Sequence, residues 1–157
     1  MPYRDRATAG LLQAAHAELS RYIGGAVVAA GFTDLRPAHG NVMEQLIHED
    51  GLRISTLAER SGMTPQSMGE LVDELERRGY VQRRPDPADR RAKPVFLTAR
   101  GRAAADVSGV AVRDQERQLR DRFGEDVYQA LREVLLRLIE FGIEPSLWRE
   151  SATPVQD

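Results

Sequence analysis

Basic side chains crowd one short stretch of this sequence, and their chemistry is that of anion binding. Residues 83–94 contain three prolines, which exclude a helix, and five basic side chains: Arg83, Arg84, Arg90, Arg91 and Lys93. A guanidinium binds phosphate or carboxylate through paired hydrogen bonds and stays charged at physiological pH. Asp89 stands among the arginines, where it can orient one of them. The stretch predicts a loop that contacts an anionic partner, although an ordinary solvated hairpin loop is the alternative.

Two short helices joined by a tight turn precede this loop. The first is predicted over residues 54–61, with Ser55 as its N-cap, and Gly62 supplies the turn. Thr64 is the predicted N-cap of a second helix, residues 65–78, because a hydroxyl residue followed by proline is a strong helix start. Apolar residues recur at helical spacing in the second helix, which therefore has one face for a core.

The exposed start of the second helix carries short polar residues: Gln66, Ser67, Gly69 and Glu70. Glutamine can pair with adenine through two hydrogen bonds, and free N–H groups at a helix start favour a nearby phosphate. An ordinary amphipathic surface helix has a similar face. Strands predicted over residues 80–84 and 95–97 complete the outline of a winged helix-turn-helix. This module places one helix in the DNA major groove and a basic loop beside it.

The distribution of charge agrees with this outline better than its sum does. The formal net charge of the 157 residues is −2. Residues 53–102 carry 11 basic and 7 acidic side chains, whereas the rest of the chain carries 11 basic and 17 acidic ones. The basic excess therefore lies where the winged module is predicted. The absence of cysteine excludes disulfides, thiolate catalysis and a cysteine redox switch.

Amphipathic helices are predicted on both sides of the module. They cover residues 5–31, 37–51, 99–123 and 125–141. The second of them carries one apolar face: Val42, Met43, Leu46 and Ile47. A small winged module cannot cover all of these apolar faces, so they predict a twofold dimer.

The three histidines, His16, His39 and His48, are too scattered to form a metal site by themselves. His39 and His48 are nine residues apart, about half a turn out of phase on one helix. Glu44 and His16 could complete a ligand set, so a metal sensor of the same fold stays open as an alternative. The sequence contains no G-x-S-x-G and no phosphate-cradling glycine loop. We therefore expect no enzyme, no cofactor and no metal.

The segment Asp89-Arg90-Arg91-Ala92-Lys93-Pro94-Val95-Phe96-Leu97-Thr98 resembles the wing signature of the MarR family of transcriptional regulators, D-x-R followed by an L-T pair. The preceding LVDELERRGYVQRR is similar to that family's recognition-helix exit and first wing strand. The resemblance extends from about Leu35 to Gly101. It implies that Arg91 enters the minor groove braced by Asp89, with Arg90 near the wing tip. Gly69 departs from the family pattern, in which Ser or Thr is common.

The resemblance implies one MarR-like domain over residues 1–157 that is mainly α with a small β-wing. A winged helix-turn-helix, residues 35–98, is flanked by long N- and C-terminal dimerisation helices, residues 5–34 and 99–142, and followed by a tail, residues 143–157. We expect a homodimeric repressor that binds a pseudo-palindromic operator in double-stranded DNA and is released by a small organic ligand. A winged-helix protein-interaction module is the alternative.

The expected location is the cytoplasm, because the N-terminus lacks a signal peptide and no run is long enough to span a membrane. The predicted DNA-binding residues combine the two helices and the wing: Ser55, Thr64, Gln66, Ser67, Glu70, Arg83, Arg84, Asp89, Arg90, Arg91 and Lys93. The predicted ligand pocket lies between the long helices and the winged module: His16, Tyr22, His39 and Met43.

Overall fold

The fold is mainly helical with one small sheet, as predicted. A computed structural model describes residues 5, 7–85 and 93–141. Its elements in chain order are α1 (Thr8–Ala29), a 3₁₀ turn (Pro37–His39), α2 (Gly40–His48), α3 (Ile54–Arg60), α4 (Pro65–Arg77), β1 (Val81–Arg83), β2 (Val95–Leu97), α5 (Ala99–Phe123) and α6 (Glu125–Phe141). The chain forms two compact units, residues 1–115 and 116–157, and the boundary falls within α5. The predicted tail, residues 143–157, lies outside the described residues.

The core of the first unit is built around α4. Met68, Val72 and Leu75 lie on one face of this helix and are fully buried. They pack in one cluster with Leu57 of α3 and Val42 of α2. Burying a side chain of this size stabilises a fold by roughly 1.5–3 kcal/mol. The apolar stripe of α4 therefore fixes which face of the helix remains outside.

The turn before α4 has the predicted chemistry. Gly62 has a φ of +61°, a left-handed conformation that glycine adopts without steric cost. The Thr64 hydroxyl accepts a hydrogen bond from the Ser67 backbone N–H at 3.2 Å, so the predicted N-cap is confirmed. Prediction of Ser55 as the cap of α3 was wrong. The helix begins at Ile54, whose side chain packs against the core, and the N-cap position is Arg53, whose side chain does not cap the helix.

The wing strands are short and are held to the helical core at one end. Val81 pairs with Leu97 and Arg83 pairs with Val95 in an antiparallel register. A bridge from Leu52 to Val95 adds a third backbone segment to β2. Tyr80, which was predicted to begin the first strand, is instead completely buried beside it, and its N–H donates to the Leu75 carbonyl at 2.9 Å. The first strand is therefore shorter than the predicted residues 80–84, whereas β2 has the predicted bounds, residues 95–97.

The start of α5 packs tightly against the end of this sheet. The Thr98 hydroxyl accepts a hydrogen bond from the Gly101 N–H at 3.1 Å and so caps the start of α5. A Cβ atom placed on Gly101 would lie 2.1 Å from the Tyr80 carbonyl oxygen. Glycine is required here because the backbone of another segment occupies the space of a side chain.

The second predicted helix differs from the structure in two ways. It divides into a 3₁₀ turn at Pro37–His39 and the shorter helix α2. Ile47 was expected on the apolar face but is 47 % exposed. Because successive residues advance by about 100° around a helix, Ile47 falls at the edge of the face that buries Leu46.

A polar cluster joins the segment after α1 to the end of α4 and the start of α5. The Tyr80 hydroxyl donates to the Asp34 carboxylate at 2.5 Å, and the Arg100 guanidinium donates to the same group at 3.0 Å. This guanidinium also lies over the Tyr80 ring, 4.4 Å from its centroid. The hydrogen bond from Tyr80, with the charges of Arg100 and Arg78, lowers the pKa of Asp34. The cluster fixes residues that are far apart in sequence.

His39 is the buried polar residue of the same region. Its Nδ1 accepts a hydrogen bond from the Arg36 backbone N–H at 3.1 Å, so the neutral ring carries its proton on Nε2. The Nε2 atom lies 3.2 Å from Glu74 Oε2, a carboxylate that also pairs with the Arg36 and Arg78 guanidiniums. Burial, with the charges of Arg36 and Arg78, lowers the pKa of His39 to about 4.

The second unit buries little of its apolar surface. Gly124, with a φ of +87°, ends α5 and α6 follows immediately. Tyr128 is the buried large side chain among the described residues of α6, and the Arg120 guanidinium lies 4.5 Å from its ring centroid. Six apolar side chains among the described residues of this unit are about half exposed or more: Phe123, Val127, Leu131, Val134, Leu136 and Ile139.

The close approach at Gly101 predicts a position-specific loss of stability. Gly101→Ala should lower the free energy of unfolding by about 1–3 kcal/mol, because the methyl group forces backbone or side-chain shifts. Gly109→Ala in the same helix is the matched control, since its Cβ would lie 3.4 Å from the flexible end of Arg113. We expect the control to gain up to about 1 kcal/mol from helix propensity. Equal melting temperatures for the two variants would contradict the contact.

The lowered pKa of His39 predicts a pH-dependent stability. Below the ordinary histidine pKa of about 6.5 the unfolded chain takes up a proton that the folded chain refuses until about pH 4. Stability should therefore fall between pH 6.5 and 4, by at most about 3 kcal/mol, and His39 should add no further loss below pH 4. Urea unfolding of His39→Gln should show a flatter profile in this window. The exposed control His48→Gln should keep the wild-type profile.

Candidate nucleic-acid interface

The outer face of α4 is a continuous polar stripe. Gln66, Glu70, Asp73 and Arg77 are all exposed and follow the spacing of three or four residues that places side chains on one helix face. Gln66 Nε2 lies 3.4 Å from Glu70 Oε1, a weak contact that leaves both side chains near each other at the helix surface. Since the opposite stripe is in the core, this face cannot turn inward.

The N-terminal turn of α4 is already partly satisfied by its own cap. The Thr64 hydroxyl lies 3.0 Å from the Ser67 hydroxyl as well as accepting from the Ser67 N–H. Both residues are exposed, as is Ser55 in the first turn of α3. Three of the hydroxyls predicted to contact DNA therefore reach the surface of the module, and Thr64 also has a structural role.

Gly69 lies in α4, between Met68 and Glu70, and has no packing role. A Cβ atom placed there meets no heavy atom within 4 Å. The glycine is therefore not required by a close approach inside the chain. This position, where the resembled family commonly has Ser or Thr, has space for a side chain.

The two arginines of the first wing strand have different surroundings. Arg84 is exposed, and its guanidinium lies 4.8 Å from the centroid of the Phe96 ring. Arg83 turns to α4, where its guanidinium pairs with Asp73 and Glu76. Burial opposes the charge of Arg83, but the hydrogen bonds and charges of these two carboxylates raise its pKa overall.

Of the other predicted wing residues, the structure describes Lys93. Lys93 is exposed beside β2. Asp89, Arg90 and Arg91, which carried the strongest sequence signal, lie outside the described residues. Sequence reasoning missed Asp73 and Glu76. Their three-residue spacing on α4, followed by an arginine on the next strand, was the available signal.

The four predicted ligand-pocket residues fall into two groups. His39 and Met43 are buried in the interior of the first unit, with exposures of 1 % and 7 %. His16 and Tyr22 lie on the exposed side of α1, where the Tyr22 hydroxyl donates to the Asp114 carboxylate. The predicted pocket therefore combines two surface positions with two core positions.

The described residues form neither a metal-binding cluster nor a membrane-spanning helix. Across the described ranges, no group of three or more histidine, aspartate or glutamate side chains is arranged to hold a metal ion. Within the same part of the chain, no helix combines the length and apolar character needed to cross a bilayer.

The sequence model of the MarR family matches residues 33–92. The transcriptional regulator HosA of Escherichia coli O111:H- is 35 % identical over 68 residues, which cover 43 % of this chain and 50 % of that protein. The HTH-type transcriptional repressor Rv2887 of Mycobacterium tuberculosis H37Rv is 37 % identical over 71 residues, 45 % of this chain and 51 % of that one. The alignments thus span about half the length of these curated relatives.

Solved structures extend the similarity to most of the chain. The transcriptional repressor CouR, bound to a 23-mer DNA duplex, matches with a TM-score of 0.71 and 25 % identity over 85 % of this chain and 92 % of that one. Rv2887 in complex with salicylic acid matches with a TM-score of 0.62 and 27 % identity, covering 86 % and 98 % of the two chains. The family match falls on α2, α3, α4 and β1, so this part of the chain is similar in sequence to the MarR family.

Proposed function

We propose that the protein is a sequence-specific DNA-binding transcriptional regulator, a homodimeric repressor whose operator binding is relieved by a small organic ligand. The observation that carries this proposal is the two-sided structure of α4. Its apolar side is locked in the core, so Gln66, Ser67 and Glu70 are held outward on a capped helix. A capped helix beside a β-wing fits the major groove of double-stranded DNA. The role is binding, not catalysis, and it places the protein in the cytoplasm.

The direct contacts divide between the two grooves. On α4, Gln66, Ser67 and Glu70 read base edges, while hydroxyls at the helix starts, Ser55 and Thr64, contact phosphates. On the wing, Arg84 and Lys93 supply exposed positive charge, and by the family resemblance Arg91 enters the minor groove with Asp89 and Arg90 beside it. CouR, a relative of the same fold, has been solved bound to a DNA duplex, which supports this assignment by analogy.

Exposed apolar side chains support a homodimer. In the second unit Val127, Leu131 and Val134 follow one face of α6 and are 49–59 % exposed. In the first unit Leu11 and Leu12 of α1 are exposed as well. A folded chain that leaves apolar helix faces open gains stability when a second copy covers them. A twofold pair of such chains reads a pseudo-palindromic operator, with half-sites about one helical turn apart.

A small aromatic acid is the proposed class of ligand. Rv2887, which shares this fold, has been solved with salicylic acid. Of the predicted pocket residues His16, Tyr22, His39 and Met43, the exposed His16 and Tyr22 offer imidazole and phenol groups to such a molecule, whereas His39 and Met43 lie in the core. A ligand at this place releases DNA if it changes the spacing of the two recognition helices.

Arg91→Ala tests the DNA-binding role. Loss of one good groove contact costs roughly 1–3 kcal/mol, so affinity for the intergenic DNA beside its own gene should fall at least about fivefold. Gel shift or fluorescence anisotropy at several salt concentrations measures this, and wild-type affinity should fall steeply with salt. Arg21→Ala on α1, whose guanidinium pairs with Glu18, is the control and should bind like the wild type.

Two results would count against the role. A complex of the wild type that is insensitive to salt would favour a protein-interaction module. Unchanged affinity in Arg91→Ala would remove the wing from the mechanism. Adding salicylate to the same titration tests the ligand class, since the proposal expects it to weaken the wild-type complex.

The open apolar face of α6 predicts a dimer that a single charge disrupts. Sedimentation at micromolar concentration should give twice the chain mass for the wild type and a lower average mass for Leu131→Asp, because a buried unpaired charge costs several kcal/mol. Arg137→Asp on the same helix is the matched control, since its side chain is 70 % exposed and pairs with Glu133. A wild-type monomer under these conditions would contradict the dimer.

A further inference from the structure

Resting on the DNA-binding function proposed above, we propose that Arg83 is a positioning residue and not a DNA contact. It ties the base of the wing to the recognition helix through Asp73 and Glu76. The three side chains set where β1 lies along α4, and hence the spacing at which helix and wing meet neighbouring grooves. This assignment replaces the expectation that Arg83 binds DNA directly.

The geometry is that of a clamp with three hydrogen bonds. Glu76 Oε1 accepts the Arg83 backbone N–H at 2.7 Å, and its Oε2 accepts the Arg83 guanidinium. The other terminal nitrogen of Arg83 donates to Asp73 Oδ1 at 2.5 Å. Glu76 therefore holds both the backbone and the side chain of one strand residue. Such charge-assisted pairs are stronger than neutral hydrogen bonds and have a defined geometry.

Exposure separates Arg83 from its neighbour. Its side chain is 21 % exposed, whereas Arg84 lies exposed at the surface. Successive side chains of a strand point to opposite faces, so Arg83 faces α4 while Arg84 lies over the Phe96 ring. To contact a phosphate, Arg83 would have to leave two carboxylates, and the complex would lose those bonds.

Charge provides an independent argument. Asp73 is 61 % exposed on the same helix stripe as Gln66 and Glu70. A carboxylate there repels the phosphate backbone and by itself weakens DNA binding, so its presence on this face needs another reason. Pairing with Arg83 is that reason, because it lets two acidic residues of α4 hold the wing in position.

The wing needs this support. Its two strands have three residues each, and a two-stranded hairpin of this size is marginal alone in water. Tyr80 anchors one end of β1 in the core, while the Arg83 clamp holds the other end, where the chain enters the loop. The clamp therefore lies at the last residue of β1.

Neutralising the acids separates positioning from contact. We expect Asp73→Asn and Glu76→Gln each to weaken binding of the wild-type target DNA about fivefold or more, although each removes a negative charge. Arg83→Gln should weaken it similarly without changing the dependence of log affinity on log salt. The double variant Asp73→Asn with Arg83→Gln should bind no more weakly than Arg83→Gln alone, because both changes break the same pair.

The control removes the same charge from another exposed place in the module. Glu59→Gln on α3 should bind as tightly as the wild type or slightly more tightly. Circular dichroism melting checks that each variant is folded, and Arg83→Lys, which keeps the charge but not the paired geometry, serves as a second variant. It should keep the wild-type salt dependence while losing affinity.

Three outcomes overturn the assignment. Tighter binding by Asp73→Asn would show that this carboxylate only repels DNA, and unchanged binding would show that it does not position the wing. A salt slope lowered by about 0.9 in Arg83→Gln, with additive losses in the double variant, would show that Arg83 contacts a phosphate. Wild-type protein without salt-dependent DNA binding would overturn the proposed function and this inference together. Wild-type binding with an unaffected Asp73→Asn variant overturns the inference alone.

Discussion

The buried stripe of α4 is the constraint on which the first unit depends. Met68, Val72 and Leu75 have no exposed surface, and the helices and the wing strand packed against them share that cluster. Rotating α4 by even a fraction of a turn would expose these side chains, at roughly 1.5–3 kcal/mol each. The direction of the polar stripe is therefore a by-product of core packing. No additional contact is needed to orient this stripe.

Two sets of polar contacts then hold the C-terminal part of α4. Glu74 gathers Arg36, His39 and Arg78 from the segment after α1, while Asp73 and Glu76 hold Arg83 of the wing. The two sets leave the helix on different sides. One of them relates α4 to the segment that follows the long first helix, and the other relates it to the strand that leads into the wing.

The sequence allowed the helices and turns to be predicted where single residues determine local geometry. Thr64 followed by Pro65, the glycines at 62 and 124, and the bounds of α6 agree with the structure. The errors occurred where tertiary contacts decide. Ile54, packed on the core, begins α3 before the better capping residue Ser55, and Ile47 falls outside the buried face of α2. The prediction for Arg83 used its charge alone, and its two carboxylate partners lie seven and ten residues earlier and meet it only after the chain folds.

Gly69 has a consequence for how this module can change. A glycine within a helix costs about 1 kcal/mol relative to alanine, and here no internal contact requires it, since a Cβ would touch nothing within 4 Å. Most surface changes that alter recognition also risk stability, but at this position the two are not in opposition. A side chain acquired there would strengthen the helix while adding a new group beside the polar stripe of α4. The surface of the module can therefore diverge at one position without cost to its fold.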